Sequence, residues 1–311
     1  MSPKAWGGFF AVAFLWGIPY LFIRIAVDDG VPPVFLAWAR VTLAAVVLLV
    51  LAQRAGVLPS LRGRWRWVAA YAIAEIAIPF PLIGFGEQRV SSSLAAILIA
   101  AVPLIMTVLA IRMDPSERAT GWRLVGLWVG LAGVVALVGI DVAGRSEELV
   151  GALAILLAAA GYATGPMLLK RNLSGLDARA IMGASLGIVA VVLAPFAAFA
   201  PPERAPSAGA LASIVVLGLF CTAMAFVLFA NLLAEIGPSR ASVITYINPI
   251  VALALGVTIL GEDVGPGAVA GLLLILGGSW LSTDGRLPPG LAAIAARMRF
   301  RRDALPDALD H

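Results

Sequence analysis

Apolar runs about 20 residues long, the length a helix needs to cross the hydrocarbon of a bilayer, recur from one end of the chain to the other. They fall at residues 6–26, 33–52, 67–86, 94–112 and 121–140, and again at 150–169, 180–200, 211–233, 240–260 and 266–282. Glycine, proline or charged residues punctuate the intervals, which are too short to hold a soluble domain. Runs such as TLAAVVLLVLA do not alternate apolar with polar residues, as a barrel strand would. A helix satisfies its own backbone hydrogen bonds in hydrocarbon, so the pattern predicts an all-α integral membrane protein with ten transmembrane helices. The composition agrees: 61% of residues are hydrophobic and 13% charged, against about 45–50% and about 25% in soluble domains.

Several function classes are disfavoured at once. The formal charge of +4 comes from basic residues scattered singly between apolar runs, which gives nucleic acid no continuous patch to bind. One cysteine, Cys221, and one histidine, His311, supply neither a disulfide framework nor a metal cluster, so no metal and no cofactor are expected. No GxxxxGK[ST] segment couples ATP. The first run continues past Tyr20 without a small-residue cleavage site, so it reads as an uncleaved first span rather than a signal peptide.

Lys and Arg then set the orientation. With both termini cytoplasmic, most basic residues fall inside: Lys4, Arg54, Arg62, Arg64, Arg66, Arg112, Arg118, Arg123, Lys170, Arg171, Arg179, Arg240 and the arginines of the tail. Arg24, Arg40, Arg89, Arg145 and Arg204 fall in or near the outward half, beside Asp28, Asp29, Glu147 and Glu148.

The two halves also resemble each other. At one constant offset Trp16 aligns with Tyr162, Arg24 with Lys170, Ser93 with Ser239 and Pro103 with Pro249. After a single-residue gap, Glu117 aligns with Glu262, Gly126 with Gly271 and Gly133 with Gly278. An odd number of spans per copy forces the second copy to enter from the opposite side, giving two inverted five-helix repeats, residues 5–143 and 148–283, followed by a basic tail, 284–311. Two near-equivalent packings of such halves are the physical basis of alternating access, so the symmetry points to transport.

The segments FLWGIPYLFIRIAVDDGVPPVFLAWAR and LAAILIAAVPLIMTVLAIRMDPSERATGWRLVGLWVGLAGVVALVG in the first half, and RASVITYINPIVALALGVTILGEDVGPGAVAGLLLILGGSWL in the second, resemble the EamA-type branch of the drug/metabolite transporter superfamily. The resemblance covers nearly the whole chain up to about residue 284. It implies two inverted EamA repeats around a central cavity and, usually, export of amino acids or other small metabolites. The chain departs from the family pattern where the charged residue beside the last proline-containing helix is reduced to Arg240, and where MDPSE stands in the first repeat against LGE in the second.

Among candidate site residues, Glu75 is the sharpest. It sits near the midpoint of the third run, where an ionised group costs roughly 2.5–3.5 kcal/mol on insertion scales. It is expected to face a cavity and to serve proton coupling or a substrate amine, the alternative being a protonated or paired structural acid. Pro79 and Pro81 remove backbone donors from the same helix. Arg40 is expected chiefly to snorkel to the outer interface, or to pair with Asp28, Asp29 or a substrate carboxylate. Arg24 and Lys170 read as interfacial anchors. Asn231, Tyr246 and Asn248 give polar edges that suit ligand contact and helix-to-helix bonding equally, and Trp16 with its counterpart Tyr162 either lines a pocket or packs. Pro103 and Pro249 shape their helices, and Gly126, Gly130, Gly133, Gly271, Gly277 and Gly278 read as close-packing stripes. The tail segment LAAIAARMRFRR suits contact with anionic lipid or plain anchoring.

The expectation is a secondary transporter in the inner or plasma membrane, moving a small metabolite such as an amino acid, with protons as a candidate coupling ion. Neither oligomeric state nor substrate is legible. A multi-span membrane enzyme would need a nucleophile with its base, and a non-transporting receptor or assembly factor would have no use for inverted repeats.

Overall fold

The computed structural model describes residues 2–113, 120–142, 144–236 and 243–284. Every long element among them is helical, and no strand occurs. Among the described residues eight helices are long and apolar enough to cross a membrane: α1 Pro3–Asp28, α2 Pro33–Arg54, α3 Trp65–Glu87, α4 Ser92–Leu109, α5 Trp122–Val142, α6 Ser146–Asn172, α7 Ala178–Phe199 and α8 Ala208–Ile236. Two shorter apolar helices follow, α9 Ile244–Leu260 and α10 Pro266–Asp284. Each helix overlies one of the apolar runs. Arg118, Arg240, Glu117, Ser239 and the tail beyond Asp284 lie outside the described residues.

Local chemistry starts and stops these helices. Proline stands at the first helical positions of α1, α2 and α10, where its missing N–H has no intrahelical partner to lose. Ser91 and Ser207 accept from Leu94 N (3.2 Å) and Ala210 N (3.2 Å), capping α4 and α8. Gly261, at φ 65°, ends α9 in a left-handed cap that a side chain would strain. Large apolar side chains such as Phe199, Val191 and Val135 point outward and exposed, as lipid-facing surfaces require.

Several helices are interrupted. Gly17–Ile18 breaks α1 before Pro19, and Ala100–Ala101 breaks α4 before Pro103. Pro249, by contrast, sits buried within a continuous α9. Wide π-helical turns occupy Ile73–Ala77 of α3, Val138–Val142 of α5 and Val216–Met224 of α8.

Packing pairs α5 with α10, α2 with α7 and α4 with α9. α1 packs on α8 and α9, while α6 packs on α3 and α4; α2 meets α8, and α7 meets α3. Glycines allow the closest crossing. A methyl added at Gly126 or Gly133 of α5 would strike α10 backbone, and one at Gly278 of α10 would strike the α5 backbone at Gly130. Gly271 packs on Leu137. The expectation fails at Gly277, around which a methyl would meet nothing within 4 Å.

Polar contacts tie the helix ends. At one face the Arg24 end of α1 meets the end of α3, and Glu262 after α9 meets the start of α4; Asp141 of α5 also bonds Gly267 at the start of α10 (3.2 Å). Asp29 after α1 accepts from Ser207 N before α8 (2.8 Å). At the other face Ser2 before α1 bonds Glu235 near the end of α8, and Arg64 before α3 donates to the Asn172 carbonyl ending α6 (3.0 Å).

Candidate substrate and coupling site

Glu75 lies inside the π-helical turn of α3, whose wider ring moves backbone and side chain off the regular helical path. Pro79 and Pro81 follow, with no N–H for the carbonyls of the turn before them. α6 comes against this turn through Gly161 and Gly165: a methyl at Gly161 would meet the Ala74 carbonyl and Pro79, and one at Gly165 would overlap the Glu75 carboxylate. The Glu75 Oε2 atom is buried and has no hydrogen-bond partner among the described residues. Tyr71, one turn earlier, and Tyr162 of α6 are the phenols within electrostatic reach of it. The Tyr71 hydroxyl is already committed to Met182 Sδ of α7 (3.4 Å).

Arg40 overturns the snorkelling expectation. It is only 8% exposed and turns into the bundle, where its Nε donates to Thr222 Oγ1 of α8 (2.9 Å) and its guanidinium lies 4.0 Å from the centroid of the Phe80 ring of α3. Thr222 in turn donates to the Leu217 carbonyl within the π turn of α8 (2.7 Å), so the helix distortion positions the acceptor for Arg40. Asp28 and Asp29 are not its partners: Asp28 pairs with Arg24 (2.8 Å) and Asp29 with Arg204 (3.4 Å). Both terminal nitrogens of the Arg40 guanidinium are therefore without a hydrogen-bond partner among the described residues. Tyr162 lies within electrostatic reach of both Arg40 and Glu75, and Tyr20 of α1 within reach of Arg40 and Tyr162.

The structure thus brings Glu75, Arg40, Tyr162 and Pro79 into one region, and it places the other candidates elsewhere. Trp16 packs on Phe229 and Phe226 of α8, with ring centroids 4.7 and 5.8 Å away. In the amide orientation that matches donors to acceptors, Asn248 Nδ2 donates to the Ala13 carbonyl of α1 (3.0 Å) and the Ile244 carbonyl (2.9 Å), cross-linking two helices. Tyr246 faces the Trp280 ring of α10 at 5.9 Å. Asn231 is exposed, in a groove of about 500 Å³ bordered by Leu51, Asp177 and Arg179. Arg24 is more than an interfacial anchor: its Nη1 donates to the Glu87 and Val90 carbonyls (2.7 and 3.2 Å), clamping α1 onto the end of α3.

A larger cavity of about 650 Å³ opens at the face where α3, α5 and α9 end, lined by Arg24, Asp28, Arg89, Asp141, Glu148 and Glu262 among others. Glu262 closes one wall, accepting from Ser92 N (2.7 Å), Ser93 N (3.0 Å) and Ser93 Oγ (2.5 Å). Burial alone would raise its pKa; the Ser93 and Ser92 bonds outweigh it and hold the carboxyl below its ordinary value. Sequence reading passed over two parts of this region. Glu87, fully buried at the end of α3, falls one residue past the apolar run 67–86. Gly161 and Gly165 form a small-xxx-small pair that was legible but was not singled out.

Long apolar helices wrapped around a buried, incompletely paired base and acid define an all-α membrane protein with a polar interior. The comparisons carry this to a family. The EamA-like transporter family matches residues 5–139 and 149–283, so the chain belongs to that family, a membrane transporter built from two copies of one unit. An uncharacterized inner membrane transporter of Escherichia coli K12, YedA, is 30% identical over 261 residues, covering 82% of this chain and 83% of that one. The uncharacterized transporter YoaV of Bacillus subtilis is 26% identical, covering 89% and 95% of the two chains. A probable terminal-alkyne amino-acid exporter of Streptantibioticus cattleyicolor is 28% identical, covering 90% and 93%. A solved crystal structure at 22% identity superposes with a TM-score of 0.64 over 91% of this chain and 98% of that one, which speaks for the fold alone.

Proposed function

We propose that this protein is a secondary transporter of ten membrane spans, in which two oppositely threaded five-helix repeats carry an amphipathic carboxylate, an amino acid or a close relative, outward by alternating access. The observation that carries the reading is the packing pattern. Renaming each helix of one repeat by its counterpart in the other, α1 with α6 through α5 with α10, exchanges the main contacts between the halves: α1 on α8 answers α6 on α3, α1 on α9 answers α6 on α4, and α2 on α8 answers α7 on α3, whereas the packing of α10 on α4 has no comparable counterpart of α5 on α9 among the described residues. The helix ends agree, because α1 begins at the face where α6 finishes. An assembly whose contacts exchange in this way has two packings of similar energy, one open to each side.

Arg40 and Glu75 supply the chemistry. A guanidinium whose two terminal nitrogens bond no described residue, set in an apolar interior, is matched by a carboxylate, which it holds with charge-assisted bonds. Glu75 holds a coupling proton, since a neutral carboxyl crosses an apolar interior far more cheaply than a charged one. Tyr162, within electrostatic reach of both, links substrate occupancy to the acid. The exporter among the relatives supports amino acids as the first substrates to try. The orientation that places both termini in the cytoplasm makes the 650 Å³ vestibule the outer mouth.

Proteoliposomes loaded with a panel of labelled amino acids and other carboxylates, assayed with and without a pH gradient, test this directly. Wild type is expected to accumulate at least one of them against its gradient when a pH gradient is imposed. Arg40→Gln should raise the half-saturating concentration by at least about tenfold, the loss of about 1.4 kcal/mol of binding, and Glu75→Gln should abolish the pH-driven component. Undiminished pH-driven flux in Glu75→Gln removes the coupling role, and an unchanged half-saturation in Arg40→Gln removes the carboxylate anchor.

A further inference from the structure

The hydroxyls that bond within helices show what is different about α8. Thr107, Thr164, Ser213 and Thr258 each donate to the carbonyl four residues back, at 2.9, 2.8, 2.9 and 2.6 Å, as side chains do on a regular helix. Thr222 donates to the Leu217 carbonyl, five residues back, at 2.7 Å. The extra residue in the π turn Val216–Met224 brings that carbonyl within its reach. A hydroxyl has one proton, so with that proton on Leu217 the Thr222 oxygen can only accept from Arg40. Arg40 Nε donates to it at 2.9 Å, and both residues are buried. Gly218, in the same turn, lets α8 close on α2: a methyl there would meet Leu43 Cβ at 2.9 Å and the Arg40 carbonyl at 3.0 Å.

The turn has a counterpart in the other repeat. The offset that aligns Trp16 with Tyr162 lays the π turn of α3, Ile73–Ala77, on residues 219–223 of α8, inside Val216–Met224. In α3 the turn closes with Ile78 N donating to the Ile73 carbonyl, again five residues back, at 3.1 Å. One distortion, at one place in each repeat, thus delivers a polar group to the interior twice: Glu75 from α3 and Thr222 from α8.

A guanidinium is planar and offers a carboxylate two edges, Nε with one terminal nitrogen or the two terminal nitrogens together. Thr222 takes the first edge. The Phe80 ring, 4.0 Å from Cζ, covers one face. We propose that Thr222, held by the π turn of α8, is the positioning residue of the carboxylate anchor: it occupies the Nε edge of Arg40 across the interface between the repeats and leaves the two terminal nitrogens as the edge that receives substrate. The inference rests on Arg40 being the anchor of the proposed transport cycle. Thr222 touches no substrate and acts through Arg40.

Proton exchange at the Arg40 side chain reads this contact without any substrate. In protein labelled with heavy nitrogen in its arginines and held in lipid nanodiscs, the Arg40 Nε–H signal is the one lost from the magnetic-resonance spectrum in Arg40→Gln. It is expected to exchange with water at least about tenfold faster in Thr222→Val than in wild type, and to stay within about threefold of wild type in Thr222→Ser, which keeps the hydroxyl. Thr222→Ala removes the same hydroxyl and should repeat the valine result even if valine packs poorly. Exchange of labelled amino acids by proteoliposomes at equal pH is measured alongside. Thr222→Val should raise the half-saturating concentration about fivefold or more, with the maximal rate within about twofold, and should add nothing further to Arg40→Gln. Thr222→Ser should restore the wild-type value. The proposal is overturned by an Nε–H that keeps its wild-type exchange rate in both Thr222→Val and Thr222→Ala, by an unchanged half-saturation in Thr222→Val, or by a rise of equal size in the absence of Arg40. Failure of wild type to exchange any labelled amino acid sinks the transport reading, while the Nε–H exchange rate still decides whether Thr222 holds Arg40.

Discussion

Gly165 and the Glu75 carboxylate share one small volume, so the acid stays where it is only while position 165 has no side chain. Gly165→Ala is therefore expected to displace Glu75 and to cut pH-driven flux by tenfold or more, while Gly277→Ala, whose added methyl meets nothing, leaves flux within about twofold. Parallel flux assays on the two variants, normalised to protein incorporated in the vesicles, check the contrast. Glu262 makes a prediction of a different kind. Its depressed folded pKa means that the stability it contributes is present above the ordinary carboxylate range near about 4.3 and is lost as pH falls through the folded value. Glu262→Gln should then melt below wild type at neutral pH, by the loss of a helix-capping contact of about 1 kcal/mol, and the two melting curves should converge in acid. Curves that stay equally separated at every pH would remove the ionised carboxylate from the account.

At the scale of elements, what could be read beforehand was whatever the apolar period alone decides. Hydrocarbon thickness sets run length, and each of the runs turned out to be a helix. The glycines of the fifth and tenth runs were legible as a crossing because close approach leaves no alternative to glycine over several turns. Direction was not legible. Arg40 is placed in its helix as a snorkelling arginine would be, and only the π turn of α8, which presents Thr222, together with Phe80 from α3, shows that it points inward. Nothing in the composition of Val216–Met224 announces a π turn, and Glu87 was lost because a charge at the edge of an apolar run looks the same whether it is solvated or sealed. The α5–α10 crossing yields its own test. Gly278→Leu drives a side chain into the α5 backbone and should destabilise by about 1–3 kcal/mol or more, with Gly277→Leu near neutral, as thermal unfolding in detergent would show; equal melting temperatures would mean that the two helices do not cross there.

For the whole molecule the decisive quantity is the sidedness of the loops. If the repeats are threaded oppositely, the turn between α2 and α3 and the turn between α6 and α7 share one side of the membrane, although the first follows the second helix of its repeat and the other follows the first of its own. The Arg64 bond to the Asn172 carbonyl already joins these two turns. The starts of α6 and α8 share the opposite side, in line with the Asp29 bond to Ser207 and the Arg89 contact to Glu147 (3.3 Å). Cys221 is the one cysteine of the chain and is buried, so its replacement by alanine gives a background free of thiols. Single cysteines at the exposed positions Ser60, Ser174, Ser146 and Ala205 can then be probed in intact cells with a maleimide that does not cross the membrane. The expected outcome is labelling of Ser146→Cys and Ala205→Cys from outside, with Ser60→Cys and Ser174→Cys reacting only after the membrane is opened. Because Ser60 belongs to the first repeat and Ser174 to the second, a result in which these two label from different sides would break the exchange of contacts between the halves, and with it the pair of equal-energy packings from which alternating access follows.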